Sequence, residues 1–307
     1  MARMRTALFN RLLAVAVLGG GVLAPTAGAF PTPLAPSCPI FPADNPWNRD
    51  VSKLPVAANS AAMIRAIGLN AGLHPDFSNR GAYGIPFNVV PSTQPRLGVR
   101  FQYASESDRV GYPIPSRPRI ESGSDRHMLI IDKGRCKLFE LFGARKVDGR
   151  WRAGSGAVFD LRSNALRPLR WTSADAAGLP IFPGLVRYSD VARGRIDHAL
   201  RFTAPRTRTA FLFPARHQAG ESASTALPPM GLHVRLKASV NISRFGPQSR
   251  IILTALKRYG MILADNGSPW YVTGVPNARW NDDELHGLGR ITGADFEVVN
   301  TGAKPQR

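Results

Sequence analysis

The stretch Gly231-Leu-His-Val-Arg-Leu-Lys-Ala-Ser239 decides the fold class that the sequence predicts. Because successive side chains of a β-strand point to opposite faces, a strand here has one apolar face and one basic face. The apolar face consists of Leu232, Val234, Leu236 and Ala238, and the other face consists of His233, Arg235, Lys237 and Ser239. Such a strand suits a sheet that packs on a core with one face and meets an anionic partner with the other.

Short apolar runs separated by turns rich in Gly, Pro, Ser and Asp continue on both sides of this strand and predict further strands. They are expected at 85–90, 97–103, 127–132, 136–142, 158–161, 198–203, 210–213 and 232–240. Helices are predicted at 60–67 and 248–259, and a hairpin at 261–264 and 270–275. This order predicts a mainly β fold, an antiparallel β-sandwich or jelly-roll-like domain with a C-terminal helix and hairpin.

The N-terminus has the composition of a signal peptide. Arginines precede an apolar stretch from Leu12 to Ala24, and Ala27-Gly28-Ala29 has the small-x-small form of a cleavage site. The apolar stretch is too short for a membrane helix, so we expect a secreted protein without a transmembrane segment. The predicted organisation is a signal peptide at 1–29, a proline-rich lead-in at 30–58, a single β-rich domain at 59–300 and a tail at 301–307.

The chain is strongly basic. It has 40 Lys and Arg against 21 Asp and Glu, a formal net charge of +19, and only seven of the basic residues are Lys. Such a surplus attracts polyanions. We expect an anionic polysaccharide or a cell-envelope glycan as the partner, and no nucleic acid. The alternative explanation is a GC-rich genome, whose codons favour Arg on any surface.

Cys38 and Cys136 are the two cysteines of the chain. An even pair in an exported protein predicts one disulfide, which here would fasten the proline-rich lead-in to a core strand.

A carboxylate interrupts an otherwise apolar hairpin at residues 125–142. Glu140 lies between Phe139 and Leu141. It is therefore either desolvated, with the raised pKa that a general acid or base needs, or paired with an arginine, or at an edge facing solvent. His127 begins the hairpin and is the candidate base.

A second candidate strand, 193–203, places Arg201 on its polar face, where a guanidinium is suited to bind a carboxylate bidentately. His198 lies among apolar neighbours and is interpreted as a core histidine. Arg216 and His217 follow a short apolar strand, so they are placed at a loop start where substrate-binding residues often lie. An exposed surface position is the alternative for His217.

Four histidines lie on or beside predicted strands: His127, His198, His217 and His233. Their spacings match no compact ligand motif, so neither a metal nor another cofactor is expected. Trp151, between Arg150 and Arg152, is the tryptophan best placed to stack on a sugar ring, and core packing is the interpretation for the others.

The densest run of polar groups and prolines is residues 155–188. It contains Asp160 and Asp175 as candidate substrate-binding carboxylates, and Ser173 is expected to cap a short helical turn that ends at Gly178. A long ordered loop of this composition is typical of a functional segment or of a lid over the core.

Several segments resemble a family of exported bacterial and fungal proteins. The similar motifs are Asp125-Arg126-His127, Ser155–Tyr188, His198-Ala-Leu-Arg201-Phe-Thr, Pro214-Ala-Arg216-His217, Pro228-Pro-Met-Gly231, Arg235-Leu-Lys237-Ala-Ser239 and Tyr259-Gly-Met-Ile. The resemblance covers residues 37–299, and it implies one exported domain without indicating an activity.

We interpret the chain as an extracellular carbohydrate-active enzyme that acts on an acidic or cell-envelope polysaccharide. A lyase would neutralise a uronate carboxylate with Arg235 or Arg201 and would use His127 or Lys237 as its base. The basic strand favours this mechanism. A non-catalytic module that binds envelope polyanions is the alternative from another class.

A hydrolase would instead use two carboxylates, with Glu140 as the acid and Asp160 or Asp175 as its partner. Either enzyme requires that the candidate residues meet. The sequence therefore predicts that one concave sheet face carries His127, Glu140, Arg201, Arg235 and Lys237.

Overall fold

The computed structural model describes residues 31–307, and the predicted signal peptide lies outside them. Their secondary structure is mainly β, as predicted. The strands are β1 (Pro31–Thr32), β2 (Ala35–Pro39), β3 (His74–Asp76), β4 (Phe87–Val90), β5 (Val99–Phe101), β6 (Met128–Asp132), β7 (Lys137–Phe142), β8 (Arg145–Val147), β9 (Arg150–Ala153), β10 (Ser155–Asp160), β11 (Leu200–Ala204), β12 (His233–Leu236), β13 (Met261–Asn266), β14 (Tyr271–Thr273) and β15 (Phe296–Val298). The helices are α1 (Ser60–Gly68), α2 (Tyr188–Ala192), α3 (Pro247–Arg258) and α4 (Asp282–His286).

β10, β7, β6 and β4 form a four-stranded sheet in that order, and its register determines which side chains share a face. One row of directly paired residues consists of Phe87, Leu129, Glu140 and Ala157. The apolar members of this row belong to the larger of two hydrophobic cores. The opposite face packs into the smaller core through Met128, Ile130, Phe139 and Leu141.

A six-stranded sheet has the order β15, β12, β13, β11, β14, β3. β11 is parallel to β13 and antiparallel to β14, so it lies between the two strands of the predicted C-terminal hairpin. Both of those strands are present, but they pair with β11 and not with each other. Across the whole fold, the pairs β4–β6, β5–β9, β11–β13 and β14–β3 are parallel, so the sheets are mixed and not antiparallel throughout.

β5, β9 and β8 form a three-stranded sheet in that order. The turn between β8 and β9 is Asp148-Gly149, and both residues have positive φ angles, of 49° and 76°. A two-residue turn with positive φ at both positions matches the twist of a hairpin, and Asp-Gly is a preferred sequence for it.

The proline-rich segment 31–58 packs against the domain. Cys38 and Cys136 form the predicted disulfide, with their Cα atoms 5.3 Å apart. A closed loop of about 100 residues stabilises a fold by roughly 4.7 kcal/mol in the chain-entropy model. Farther along the segment, Trp47 is buried, and its carbonyl oxygen accepts a hydrogen bond of 2.7 Å from the N–H of Ala199 beside β11.

The C-terminal helix α3 begins at Pro247, as predicted, and carries Lys257 and Arg258 in its last turn, where positive charge suits the helix dipole. Its buried side chains include Ile252 and Leu256. Within residues 31–307, no helix has both the length and the apolar composition that crossing a bilayer requires.

Candidate functional site

A buried ion pair between Arg201 and Asp175 lies at the centre of the site. The Nε of Arg201 donates to one carboxylate oxygen of Asp175 at 2.9 Å, and its Nη2 donates to the other at 2.6 Å. The remaining Nη1 donates to the hydroxyl of Thr273 on the neighbouring β14. Burial alone would lower the pKa of Arg201, but the charge of Asp175 raises it. The bidentate geometry thus fastens the loop that carries Asp175 to the six-stranded sheet.

A tight loop at residues 172–178 positions Asp175. The N–H of Asp175 donates to the hydroxyl of Ser173 at 2.9 Å, and that hydroxyl donates to the carbonyl oxygen of Leu179 at 2.5 Å. Gly178 has a φ of 69°, and a Cβ there would lie 2.4 Å from the carbonyl oxygen of Trp171. Ser173 therefore organises a turn in this loop, as expected, but the turn is not helical.

His127 lies under this loop and is held by two acceptors. Its Nδ1 donates to a carboxylate oxygen of Glu121 at 2.6 Å, and its Nε2 donates to the carbonyl oxygen of Ala174 at 3.1 Å. Burial would lower the pKa of His127, but the hydrogen bond and the charge of Glu121 raise it. Since both ring nitrogens face acceptors, the ring carries both protons and has no lone pair with which to act as a base.

Glu140 is the desolvated carboxylate that the sequence suggests. Its side chain is fully buried, and burial raises its pKa to about 7, against the opposing effect of two backbone donors. Those donors are the N–H groups of Ile181, at 3.0 and 2.9 Å from the two oxygens, and of Phe182, at 2.9 Å. Among the ion pairs within residues 31–307, none involves Glu140. The carboxyl therefore holds the far end of the loop against the four-stranded sheet.

Asp265 joins the cluster because of a β-bulge. In the pairing of β11 with β13, Phe202 lies opposite Leu263, but the next residue, Thr203, lies opposite Asp265, so Ala264 is extra. Without the bulge, Asp265 would share the apolar face of Leu263. One extra residue turns it to the face that carries Arg201.

The pKa of the Asp265 carboxyl is raised to about 8. Burial is the largest cause, the charge and a hydrogen bond of Asp175 contribute to the rise, and Arg201 opposes it. Although the carboxyl group is surrounded by protein, part of the side chain reaches solvent. Two adjacent carboxyl groups repel each other when both are ionised, which is why Asp175 raises the pKa of Asp265.

Asp265 and Asp175 are among the lining residues of an open cleft of about 370 Å³, which we call the site cleft, although the carboxylate of Asp175 itself is buried. Its other lining residues are Tyr103, Glu106, Phe142, Ser155, Thr172, Ser173, Ala174, Ala176 and His217. Tyr103 is half exposed and Phe142 partly exposed, so the cleft has an aromatic wall. One oxygen of Glu106 accepts the N–H of Thr172 at 3.1 Å; throughout the described part of the chain, its second oxygen has no hydrogen-bond partner.

Arg216 and His217 contact the same loop from outside. The Nε of Arg216 donates to the carbonyl oxygen of Arg167 at 2.9 Å, and the Nδ1 of His217 lies 2.8 Å from the carbonyl oxygen of Ala176. A carbonyl oxygen only accepts, so Nδ1 is the donor of this hydrogen bond. His217 therefore lines the site cleft, whereas the guanidinium of Arg216 supports the loop.

Arg235 and Lys237 do not reach this cluster. Arg235 is on β12, two strands away from Arg201. Its guanidinium pairs with Glu297 at 2.7 Å and donates to the carbonyl oxygens of Val51 and Leu54, the latter at 2.8 Å.

Beyond the end of β12, the ammonium of Lys237 donates to the carbonyl oxygen of Ala294 at 2.7 Å. The basic face of the strand is thus covered by the proline-rich segment and by neighbouring loops. The predicted concave face with all five residues does not form.

The other predicted residues also lie outside the cleft. Asp160 pairs with Lys137 at 3.0 Å on the four-stranded sheet. Trp151, on β9, packs against the smaller core. His198 accepts a hydrogen bond of 2.6 Å from Arg187 and is the buried core histidine that the sequence predicts.

Sequence reasoning missed Asp265, Glu106 and Glu121. Asp265 was hidden in an Asp-Asn-Gly turn signal, because a bulge has no clear signature in a single sequence. Within residues 31–307, no group of three or more His, Cys, Asp or Glu side chains is arranged to hold a metal ion. No protein-family model, curated protein or solved structure matches the chain, so the resemblance to a family of exported proteins stays a prediction.

Proposed function

We propose that the protein is a polysaccharide hydrolase whose general acid is Asp265. The observation that carries this proposal is a carboxyl group with a pKa of about 8 in the lining of an open cleft. A group with that pKa is protonated at neutral pH and is available to donate its proton to a leaving oxygen. Neighbouring carboxyl groups with separated pKa values are the usual basis for assigning acid and base roles.

Asp175 is not suited to be the second catalytic carboxylate. Both of its oxygens accept hydrogen bonds from Arg201, and it lies within hydrogen-bond reach of Asp265. Carboxyl groups that flank a glycosidic bond are about 5 to 9.5 Å apart. We assign the second role to Glu106, which lines the same cleft.

The proposed reaction is an ordinary hydrolysis. Asp265 transfers its proton to the glycosidic oxygen as the bond to the anomeric carbon breaks. A water molecule adds its oxygen to that carbon, and Glu106 accepts the proton that the water loses. Arg201 binds both oxygens of Asp175, so Asp265 is the carboxyl group of the pair that faces the leaving oxygen.

Elimination, which the basic strand favours at the level of sequence, has less support. A lyase needs a cation near the uronate carboxylate and a free base. The lining residues of the cleft, as far as the structure describes the chain, include no Arg or Lys. Arg201 is occupied by Asp175, and His127 has both ring nitrogens engaged.

Peptide hydrolysis is a second candidate, because Asp175 and Asp265 are adjacent carboxyl groups, as in an aspartic peptidase pair. In such a pair, both carboxyl groups contact the attacking water. Asp175 is fully buried and bound on both oxygens, which favours the glycan.

The test is the substitution Asp265→Asn, with release of reducing ends from a panel of soluble polysaccharides as the readout and casein cleavage as the parallel assay. We expect the parent to act on a polysaccharide, and the variant to lose activity by about 10²- to 10⁴-fold, the usual contribution of general acid catalysis. Glu106→Gln should cause a comparable loss. Asp160→Asn, which removes a carboxylate outside the cleft, is the matched control and should keep full activity.

The activity should also be lost at high pH. The acid form of Asp265 persists below its pKa of about 8, so turnover should fall as the pH rises through 8. If the protein cleaves casein and none of the polysaccharides, it is a peptidase. If Asp265→Asn retains parental turnover, or if the products carry an unsaturated uronate, the hydrolase proposal is wrong.

A further inference from the structure

Four arginines share the outer face of the three-stranded sheet, and we call them the arginine face. Arg152 on β9 is directly paired with Arg100 on β5 and with Arg145 on β8, so three guanidinium groups stand in one row across the sheet. Arg150 lies two residues before Arg152 and therefore on the same face. All four side chains are exposed.

The fold does not account for this arrangement. In the part of the chain that the structure describes, none of the four arginines has an ion-pair partner or donates a side-chain hydrogen bond. The inner face of the sheet packs on the smaller core through Val99, Phe101 and Trp151. Like charges directly opposite each other destabilise a sheet, so a row of three arginines opposes folding unless an anion neutralises it.

The row leads to the site cleft. Tyr103, Ser155 and Phe142 line the cleft, and each lies three residues from Arg100, Arg152 and Arg145 respectively.

The pairing also continues to that edge. Tyr103 donates its N–H to Gly154 at 2.8 Å, and Gly154 donates its N–H to Phe142 at 2.7 Å. Three residues of strand span about 10 Å, which is the scale of two sugar units.

We propose that the arginine face binds the carboxylate groups of a linear acidic polysaccharide whose chain continues into the site cleft. For the part of the polysaccharide that enters the site cleft, this inference rests on the proposed hydrolase function. It assigns the substrate to uronate-containing glycans. The cleft itself, with Glu106, Asp175 and Asp265, accepts a part of the chain without a carboxylate.

The chemistry of the face favours this ligand over a nucleic acid. Planar guanidinium forks match carboxylates bidentately, and neighbouring strands place them at regular intervals of about 4.8 Å. Binding of single-stranded nucleic acid relies on aromatic side chains that stack on bases. The aromatic side chains of these strands, Phe101 and Trp151, both pack against the smaller core, on the face opposite the arginines.

The test compares two triple variants with equal net charge. One is Arg100→Ala/Arg145→Ala/Arg152→Ala. The matched control removes three exposed arginines that are distant in sequence, Arg65→Ala/Arg206→Ala/Arg244→Ala. Calorimetry measures the binding of polygalacturonate, of its carboxyl-reduced neutral form, and of single-stranded DNA.

We expect the first variant to lose polygalacturonate affinity by about 30-fold or more, and the control by less than about 3-fold. The neutral polymer should bind the parent and both variants alike. Equal losses in the two variants would overturn the proposal, because net charge alone would then explain binding. Tighter binding of DNA, with the same dependence on the three arginines, would overturn it in favour of a nucleic-acid surface.

The same measurements in the Asp265→Asn background separate this inference from the proposed function. Binding requires the arginine face and not Asp265, so the background substitution should leave polygalacturonate affinity unchanged. Arginine-dependent binding without turnover of any polysaccharide would refute the hydrolase while supporting the binding surface. Turnover without arginine-dependent binding would refute the surface alone.

Discussion

The Arg201 cluster and the arginine face concentrate charge in opposite ways. In the cluster, Arg201 is buried and each of its three guanidinium nitrogens donates a hydrogen bond: Asp175 accepts two and Thr273 accepts one. On the arginine face, Arg152 lies between Arg100 and Arg145, is exposed to water, and has no ion-pair partner among residues 31–307. The first arrangement exists because a charge away from water needs a partner, and the second is tolerated because water and salt screen it.

This difference indicates how each region works. The cluster is organised by the protein alone, so its protonation states are set before a ligand arrives. The arginine face has no counter-charge within the described protein. Binding of an anion would therefore lower the electrostatic repulsion among its guanidinium groups. We therefore expect substitutions in the cluster to change stability strongly, and substitutions on the face to change ligand binding with little effect on stability.

The largest effect should follow the loss of Asp175. Asp175→Ala removes the carboxylate that binds the buried guanidinium of Arg201 on two nitrogens, and breaking a buried pair in this way costs about 3 to 5 kcal/mol. Urea unfolding of the variant measures the loss. Asp160→Ala, which breaks the exposed pair with Lys137, should cost about 1 kcal/mol or less. If Asp175→Ala loses no more stability than this control, solvent screens the Arg201–Asp175 pair as it screens an ion pair on the protein surface.

The double variant Asp175→Ala/Arg201→Met tests the reason for that loss. Since no unpaired charge then remains, it should be more stable than Asp175→Ala alone. A further loss in the double variant would show that the packing of Arg201, and not its charge, is what matters.

The strand that decides the predicted fold shows how far the sequence informs the structure. Alternation in 231–239 predicts that His233 and Arg235 share a face, and they do, while Val234 and Leu236 enter the main core. Alternation carries no information about what covers a face. The carbonyl groups that cover Arg235 belong to residues about 180 positions earlier, and only the folded chain brings them there.

The sequence likewise indicates some residues of the site and not others. Burial of Glu140 follows from its apolar neighbours, so its raised pKa could be anticipated from the sequence. Asp265 owes its position to one extra residue in a strand pairing, and Asp175 is held by an arginine that is distant along the chain. Local patterns predict such residues only where the partner is also local.

An intermediate effect on stability should distinguish β12, which carries Arg235, from β9, which carries Arg152. Arg235→Ala removes the ion pair with Glu297 and the donor to Val51 and Leu54, which should cost about 1 to 3 kcal/mol. The matched substitution Arg152→Ala, on β9, should stay within about 0.5 kcal/mol of the parent. Urea unfolding of both variants makes the comparison. Equal losses would show that the arginine face is also part of the structural framework.

The smallest effect should be a gain in stability on the arginine face. Arg152→Thr removes the central member of the row and introduces a residue that suits an exposed strand, so it should stabilise by about 0.2 to 1 kcal/mol at low salt. Arg150→Thr is the matched control, because Arg150 is paired with Val147 and not with another arginine, and its gain should be smaller. Added NaCl screens the row and should reduce the difference between the parent and Arg152→Thr. In saturating polygalacturonate the parent should become more stable than Arg152→Thr, because the parent alone gains the full binding energy. A gain that is the same for both variants and independent of salt would mean that strand propensity, and not repulsion within the row, sets the stability of this sheet.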